Sequence, residues 1–228
     1  MKNLLIIGGG DFLIEIINYI KDISKFSKFK LNILGIVDSK KINKKNVEKI
    51  YGKKINHYSN LKNAKFYPKN TFGIITIGNP IKRENCRKEL KKKGFKLFTL
   101  IHPKSYVSAP SKIGEGCIVG PFSFIGRETK VEENILVCIY ATVGHHSYVG
   151  KSSVVSPYSS LIGKAKCGRI SFMGTNSTII GAQAKLGSDS KLTAGSVLYK
   201  KTGNRCLVAG NPAIETPNYS LIYKKSKK

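Results

Sequence analysis

Two adjacent histidines, His145 and His146, stand in the run ATVGHHSYVG at 141–150, in a chain of 228 residues that has four histidines in all. Imidazole titrates near neutrality, so it can take a proton from an amine or hydroxyl without help from its surroundings. That suits attack on an acyl group already activated as a thioester, where a base is needed and a protein nucleophile is not. No Ser-His-Asp or Cys-His arrangement is needed for such a reaction, because the acyl donor is already activated. A pair of polar residues tolerated by a solvated turn is the plain alternative, and His57 and His102 read as structural.

The elements that position the pair are read from the period around it. From about residue 105 no helical pattern remains, and a six-residue beat runs Val107, Ile113, Val119, Ile125, Val131, Val137, Val143, Val149, Val155, Leu161, Cys167, Met173, Ile179. Glycine follows the beat at 114, 120, 126, 144, 150, 168 and 174. Hexapeptide repeats predict a parallel β-helix, with one aliphatic residue per short strand inside a prism and glycine letting the chain turn each corner. The beat returns shifted by one residue at Leu186, Leu192 and Leu198, which predicts a one-residue insertion near 180–185, bulging at Ile180-Gly181-Ala182. His145 then falls directly after a corner glycine, on the outside of the prism.

The first hundred residues follow another rhythm. LLIIG (4–8), LNILGIVD (31–38), FGIITIG (72–78) and KLFTLIHP (96–103) read as strands. Leu13, Ile16, Ile17 and Ile20 mark an amphipathic helix, and a second helix is capped by Asn79, starts at Pro80 and ends at Gly94. Strands alternating with helices predict a small α/β domain with a parallel sheet over 1–103, followed by the β-helix over 104–214 and a basic tail over 215–228. Gly8, Gly9 and Gly10 after the first strand suit a phosphate-bearing ligand at a helix N-terminus, with Asp38 and Asn79 closing neighbouring strands. The full GxGxxG fingerprint is missing, so a dinucleotide cofactor is not expected.

The net charge of +27 comes from 40 Lys+Arg against 13 Asp+Glu. It is scattered lysine without any recognition-helix, RRM or zinc-finger pattern, which argues against nucleic acid and favours encounters with phosphate-rich small molecules. Five cysteines, with no CxxC, give neither a disulfide framework nor a metal site. The apolar start MKNLLII is too short for a signal peptide or a span, so no membrane insertion and a cytoplasmic location are expected.

An α/β domain followed by hexapeptide repeats and closed by VAGNPA at 208–213 resembles the bacterial sugar O- and N-acyltransferases, which pair an N-terminal Rossmann-like domain with a left-handed β-helix. They include acetyltransferases of UDP- and dTDP-amino sugars and sialic-acid O-acetyltransferases. The run ValGlyHisHisSerTyrValGly at 143–150 is similar to their Val-Gly-His-(acidic)-Ser-x-(Ile/Val)-Gly. The resemblance implies acetyl-CoA as acyl donor, His145 as general base, and His146 beside it where an acid usually stands. A second imidazole holds no compensating negative charge. Either an acid comes from elsewhere in the chain or from a neighbouring subunit, or the site is weakened.

The resemblance further implies that Gly163 offers a backbone donor to the acyl carbonyl, and that Gly174 and Thr175 line the channel for the cofactor. Gly8, Gly9, Gly10, Asp38, Asn79 and Cys138 then contact the sugar nucleotide. Val154 replaces a second histidine found in some members, and Cys138-Ile139-Tyr140-Ala141 replaces Asn-Thr-Gly-Ala. A homotrimer with sites between adjacent β-helices is implied as well. The leading expectation is N-acetylation of a nucleotide-activated amino sugar for surface polysaccharide or glycan synthesis. Beside it stand sugar or sialic-acid O-acetylation and a sugar-nucleotide-binding β-helix without catalysis.

Overall fold

A computed structural model describes residues 1–26, 30–64 and 68–216. Two compact units emerge, one of Met1–Pro103 together with Glu115–Cys117, the other of Lys104–Gly114 and the chain from Ile118 onward.

The first unit is built on a five-stranded sheet in the order β3-β2-β1-β4-β5, with β1 Lys2–Ile7, β2 Leu31–Val37, β3 Asn56–Tyr58, β4 Thr71–Ile75 and β5 Lys96–Leu97. Every pair in it is parallel. A central parallel strand is covered on both faces, and Leu4, Leu5 and Ile6 of β1 are all fully buried. Leu5 and Ile7 pack with Val37, Ile75, Leu90, Phe95 and Leu97. Helix α1, Phe12–Phe26, buries the expected Leu13, Ile16, Ile17 and Ile20. Helix α3, Pro80–Lys92, opens as expected on Asn79, whose side chain accepts from the Lys82 amide with Pro80 at the first position.

Between them lie two elements the sequence reading passed over, α2 (Lys44–Tyr51) and β3. Asn43 caps α2 through the Asn46 amide and Gly52 ends it in a left-handed conformation, so its start and stop signals are ordinary. With Val47 as its one buried residue, it lacks the apolar face that makes a helix visible in sequence.

The second unit is a stack of short parallel strands that fits a left-handed β-helix. One ladder joins Tyr106–Val107, Phe124–Ile125, Thr142–Val143, Ser160–Ile162, Thr178–Ile180 and Val197–Leu198. A second joins Lys112–Ile113, Lys130–Val131, Tyr148–Val149, Lys166–Cys167 and Lys185–Leu186. A third includes Ile118–Val119, Leu136–Val137, Val154–Val155, Phe172–Met173 and Lys191–Leu192. Partners lie eighteen residues apart, as in Ile125 opposite Val143, until Cys167 meets Leu186 one residue late. The extra residue sits at the corner where Gly181 has φ +87°. VAGNPA is the bend of an antiparallel hairpin, Leu207–Gly210 with Ala213–Thr216, so the expected tail begins inside a strand; its remainder, 217–228, lies outside the described residues.

The corner glycines act differently from expectation. None of those that follow the beat has positive φ; the left-handed residue is the third after the beat, among them Phe122, Glu128, Asn134, Tyr140, His146 and Ser152. The glycines are required by contact between coils. A β-carbon on Gly126 would stand 2.6 Å from the His145 nitrogen, and one on Gly174 would stand 2.4 Å from the Ala194 nitrogen. The interior also holds a second column, displaced by two residues from the beat, in which Ser123, Thr129, Ser153, Ser159 and Ser171 are buried. Several of these hydroxyls donate to carbonyls of the next coil, as Ser153 does to Gly168 and Ser159 to Gly174, each at 2.7 Å.

Candidate active site

His145 and His146 occupy the corner between the strands Thr142–Val143 and Tyr148–Val149. Backbone bonds to adjacent coils fix them: the His146 amide donates to the Arg127 carbonyl at 3.0 Å, and the His145 carbonyl accepts from the Lys164 amide at 2.8 Å. The left-handed backbone at His146 (φ +58°) lies in a small allowed region that non-glycine residues enter at a cost. Here the ladder bonds on either side hold it there.

The side chains form a chain. Nδ1 of His145 lies 2.9 Å from Nδ1 of His146, and Nε2 of His146 lies 2.6 Å from Oε2 of Glu128. The other carboxylate oxygen of Glu128 accepts from Arg127 Nη1 at 2.7 Å. An acid from the preceding coil thus stands against His146, where the neighbouring sequence has none. Glu128 was missed by the sequence reading, although the eighteen-residue repeat stacks 128 beneath 146.

The far edge of the His145 ring is set against Gly163. A β-carbon there would stand 2.7 Å from Nε2 and 2.9 Å from Cε1, so only glycine leaves the ring this position. Both residues line a cavity of about 560 Å³, together with Gly126, Gly144, Ile162, Arg127, Ser108, Tyr106 and Phe124. Tyr106 and Phe124 stack at 5.4 Å with 60% and 42% of their surface exposed, giving the cavity an aromatic wall that the beat alone did not reveal.

The remaining expected residues are placed elsewhere. Cys138, Gly174 and Thr175 lie at the corner that follows the third ladder, and none of them lines this cavity. Val154 is buried in the third ladder. In the α/β unit a cavity of about 280 Å³ is lined by Gly8, Asp38, Ser59, Asn60, Cys86 and Glu89 among others. Gly8 has φ +113°, and a β-carbon on it would meet Thr76 Oγ1 at 2.7 Å, so glycine is required on both counts. Asp38 accepts from the amides of Gly9 (2.6 Å) and Lys40 (2.8 Å), so the Gly9 N–H is directed at a carboxylate. Gly10 and Asn79 are outside the cavity, and the Asn79 side chain caps α3. His102 is buried against Asp22 at 3.1 Å, and His57 bonds the Asp38 carbonyl at 2.9 Å.

Burial disfavours thiol chemistry at Cys86, Cys167 and Cys206. Burial pushes Cys167 up to about 12, burial and then Glu215 push Cys206 up to about 11, and burial and then Glu89 raise Cys86. A thiol held protonated is a poor nucleophile.

The architecture defines the class of chain this is, an α/β part joined to a β-helix of hexapeptide coils with a histidine-bearing corner. Solved structures share the fold. The acetyltransferase domain of PglB from Neisseria gonorrhoeae superposes with a TM-score of 0.81 at 23% identity, covering 95% of this chain and 100% of its own. PerB from Caulobacter crescentus, solved in complex with CoA and GDP-perosamine, gives 0.81 at 22% identity over 95% and 98%. WeeI from Acinetobacter baumannii gives 0.78 at 20% identity over 95% and 100%. At these identities the likeness establishes a common fold. No protein-family model and no curated protein matches the sequence. Among the described residues no helix is long and apolar enough to cross a membrane.

Proposed function

We propose that this protein is an acetyl-CoA-dependent acyltransferase that acetylates an amino group of a nucleotide-activated amino sugar. The observation that carries the reading is His145, whose Nε2 edge is turned to Gly163 at an open cavity while its other nitrogen is engaged by His146. A base so placed can accept a proton at one atom only. In the proposed step the sugar amine attacks the thioester carbonyl, a C–N bond forms as the C–S bond breaks, and the amine proton passes to His145 Nε2 and on to the CoA thiolate. The products are the amide and free CoA. Positioning of two substrates and one base supplies the rate, without an acyl-enzyme.

The shared fold with PerB, solved with CoA and GDP-perosamine, supports the reading. The 280 Å³ cavity of the N-terminal unit, which we read as a Rossmann-like nucleotide-binding domain, carries the carboxylates of Asp38 and Glu89 beside Ser59 and Asn60. These groups suit ribose hydroxyls and a base better than phosphate, which two carboxylates would repel. A left-handed β-helix in a cytoplasmic homotrimer, bringing the corner with Cys138, Gly174 and Thr175 of one copy to the histidine corner of another, completes the proposal. Incubation with acetyl-CoA and UDP-, dTDP- and GDP-linked amino sugars tests it. The product acetyl group is expected to resist hydroxylamine, as an amide does; a hydroxylamine-labile ester would assign O-acetylation instead.

A further inference from the structure

Which nitrogen of His145 carries its proton is set by residues two contacts away. Oε2 of Glu128 lies 2.6 Å from Nε2 of His146, and a carboxylate in such a contact accepts, so the His146 proton belongs on Nε2. A neutral His146 then has a lone pair on Nδ1, 2.9 Å from Nδ1 of His145. That contact is a hydrogen bond only if His145 donates. His145 therefore carries its proton on Nδ1 and leaves Nε2, the atom facing Gly163 and the cavity, as the free acceptor.

The carboxylate is itself oriented. Arg127 donates to Oε1 at 2.7 Å and leaves Oε2 to the histidine, while the Glu128 amide is bonded to the Pro110 carbonyl and the His146 amide to the Arg127 carbonyl. Glu128 and His146 take the same left-handed conformation at equivalent corners of successive coils, with φ of 56° and 58°. Equal backbone conformations one coil apart bring side chains from the two corners into register. We propose that Glu128 is a positioning residue for His145, acting through His146, and that the Glu128–His146–His145 chain replaces a carboxylate directly beside the base. The proposal rests on reading His145 as the base of the acyl transfer.

When His145 takes up a substrate proton at Nε2 it becomes a cation with N–H groups on both nitrogens. His146 still accepts at Nδ1, and the negative charge of Glu128 stands behind it. The relay thus favours the charged product of the proton transfer without moving a second proton.

Nitrogen-15 NMR of ring-labelled protein at about pH 8.5, where unperturbed imidazole is neutral, reads the two tautomers directly and needs no substrate. The expected pattern is Nδ1–H on His145 and Nε2–H on His146, with the His145 bias lost in Glu128→Ala. The kinetic counterpart is a fall of about tenfold in kcat for Glu128→Ala, with KM for acetyl-CoA within about twofold of wild type. Adding His146→Asp to Glu128→Ala is expected to restore most of the loss, which repair of a merely structural defect would not do. Nε2–H on His145 in the wild type, or Glu128→Ala with unchanged tautomers and unchanged kcat, would overturn the relay. The expected tautomers without acetyl transfer to any amino sugar would leave the relay standing and remove the functional reading.

Discussion

Nε2 of His145 lies so close to Gly163 that a β-carbon on the glycine would stand 2.7 Å away, inside any tolerable contact. Gly163→Ala is therefore expected to displace the imidazole. Positive φ is not demanded at this position, so the backbone tolerates alanine and the loss should appear in turnover. A displacement of about 1 Å at a base costs on the order of 100-fold in kcat. Steady-state kinetics beside a thermal melt separates the two effects: a fall in kcat with a nearly unchanged melting temperature is the expected result.

Coil spacing makes a second prediction, for stability. A β-carbon on Gly168 would stand 2.5 Å from the Ser188 nitrogen, backbone that has no room to retreat in a stacked prism. Gly168→Ala should cost about 1–3 kcal/mol, the usual range for overpacking. Gly78 is the control, because nothing lies within 4 Å of its virtual β-carbon and its φ is not positive. Gly78→Ala should be neutral or stabilising by up to about 1 kcal/mol. Urea unfolding of both variants checks the pair.

Gly168 shows where the information in the sequence period ends. The beat from Val107 to Ile179 gave the coils, their register and the position of the extra residue, because period survives without knowledge of contacts. It did not tell a glycine needed for φ from one needed for approach, since the two are distinguished only by what lies in the next coil. Glu128 is legible in the same way after the fact: eighteen residues before His146 is one full coil, and an acid sought at the neighbouring position in sequence was to be found at the neighbouring position in space. The aromatic pair Tyr106 and Phe124 points outward beside beat residues, where period carries no information. Helix α2 buries Val47 alone and so leaves almost no apolar signature.

The inner serine column discriminates between satisfied and unsatisfied hydroxyls. Ser153 donates to the Gly168 carbonyl at 2.7 Å and accepts from the Ser171 amide at 3.0 Å. Ser147 Oγ is buried without a partner among the described residues. Ser153→Ala, which orphans the buried Ser171 amide and leaves the Gly168 carbonyl only the long Cys167 thiol contact, should cost about 1–3 kcal/mol. Ser147→Ala should fall within about 0.5 kcal/mol of wild type or stabilise. Equal losses at the two sites in chemical denaturation would contradict this assignment.

At the C-terminal hairpin, burial and then Glu215 push the Cys206 thiol up to about 11. In turn the Cys206 hydrogen bond and then the Gly203 amide hold the Glu215 carboxyl below its usual range. Glu215→Gln should speed maleimide labelling of Cys206 at about pH 8.5 by roughly tenfold, read by peptide mass spectrometry. The sign for stability follows from the lowered carboxyl. Whatever Glu215 contributes is present above the unfolded carboxylate value of about 4.3 and is lost as pH falls through the lower folded value, so wild type and variant should converge in acid.

In the proposed reaction His145 is the base of acetyl transfer to an amino sugar. The most direct measurement follows free CoA thiol released from acetyl-CoA in the presence of each nucleotide-linked amino sugar, for wild type and His145→Asn. Turnover with at least one sugar is expected, with a loss of about 100- to 10,000-fold in the variant. Thiol release at the wild-type rate by His145→Asn, or sugar binding without any turnover by the wild type, would contradict it.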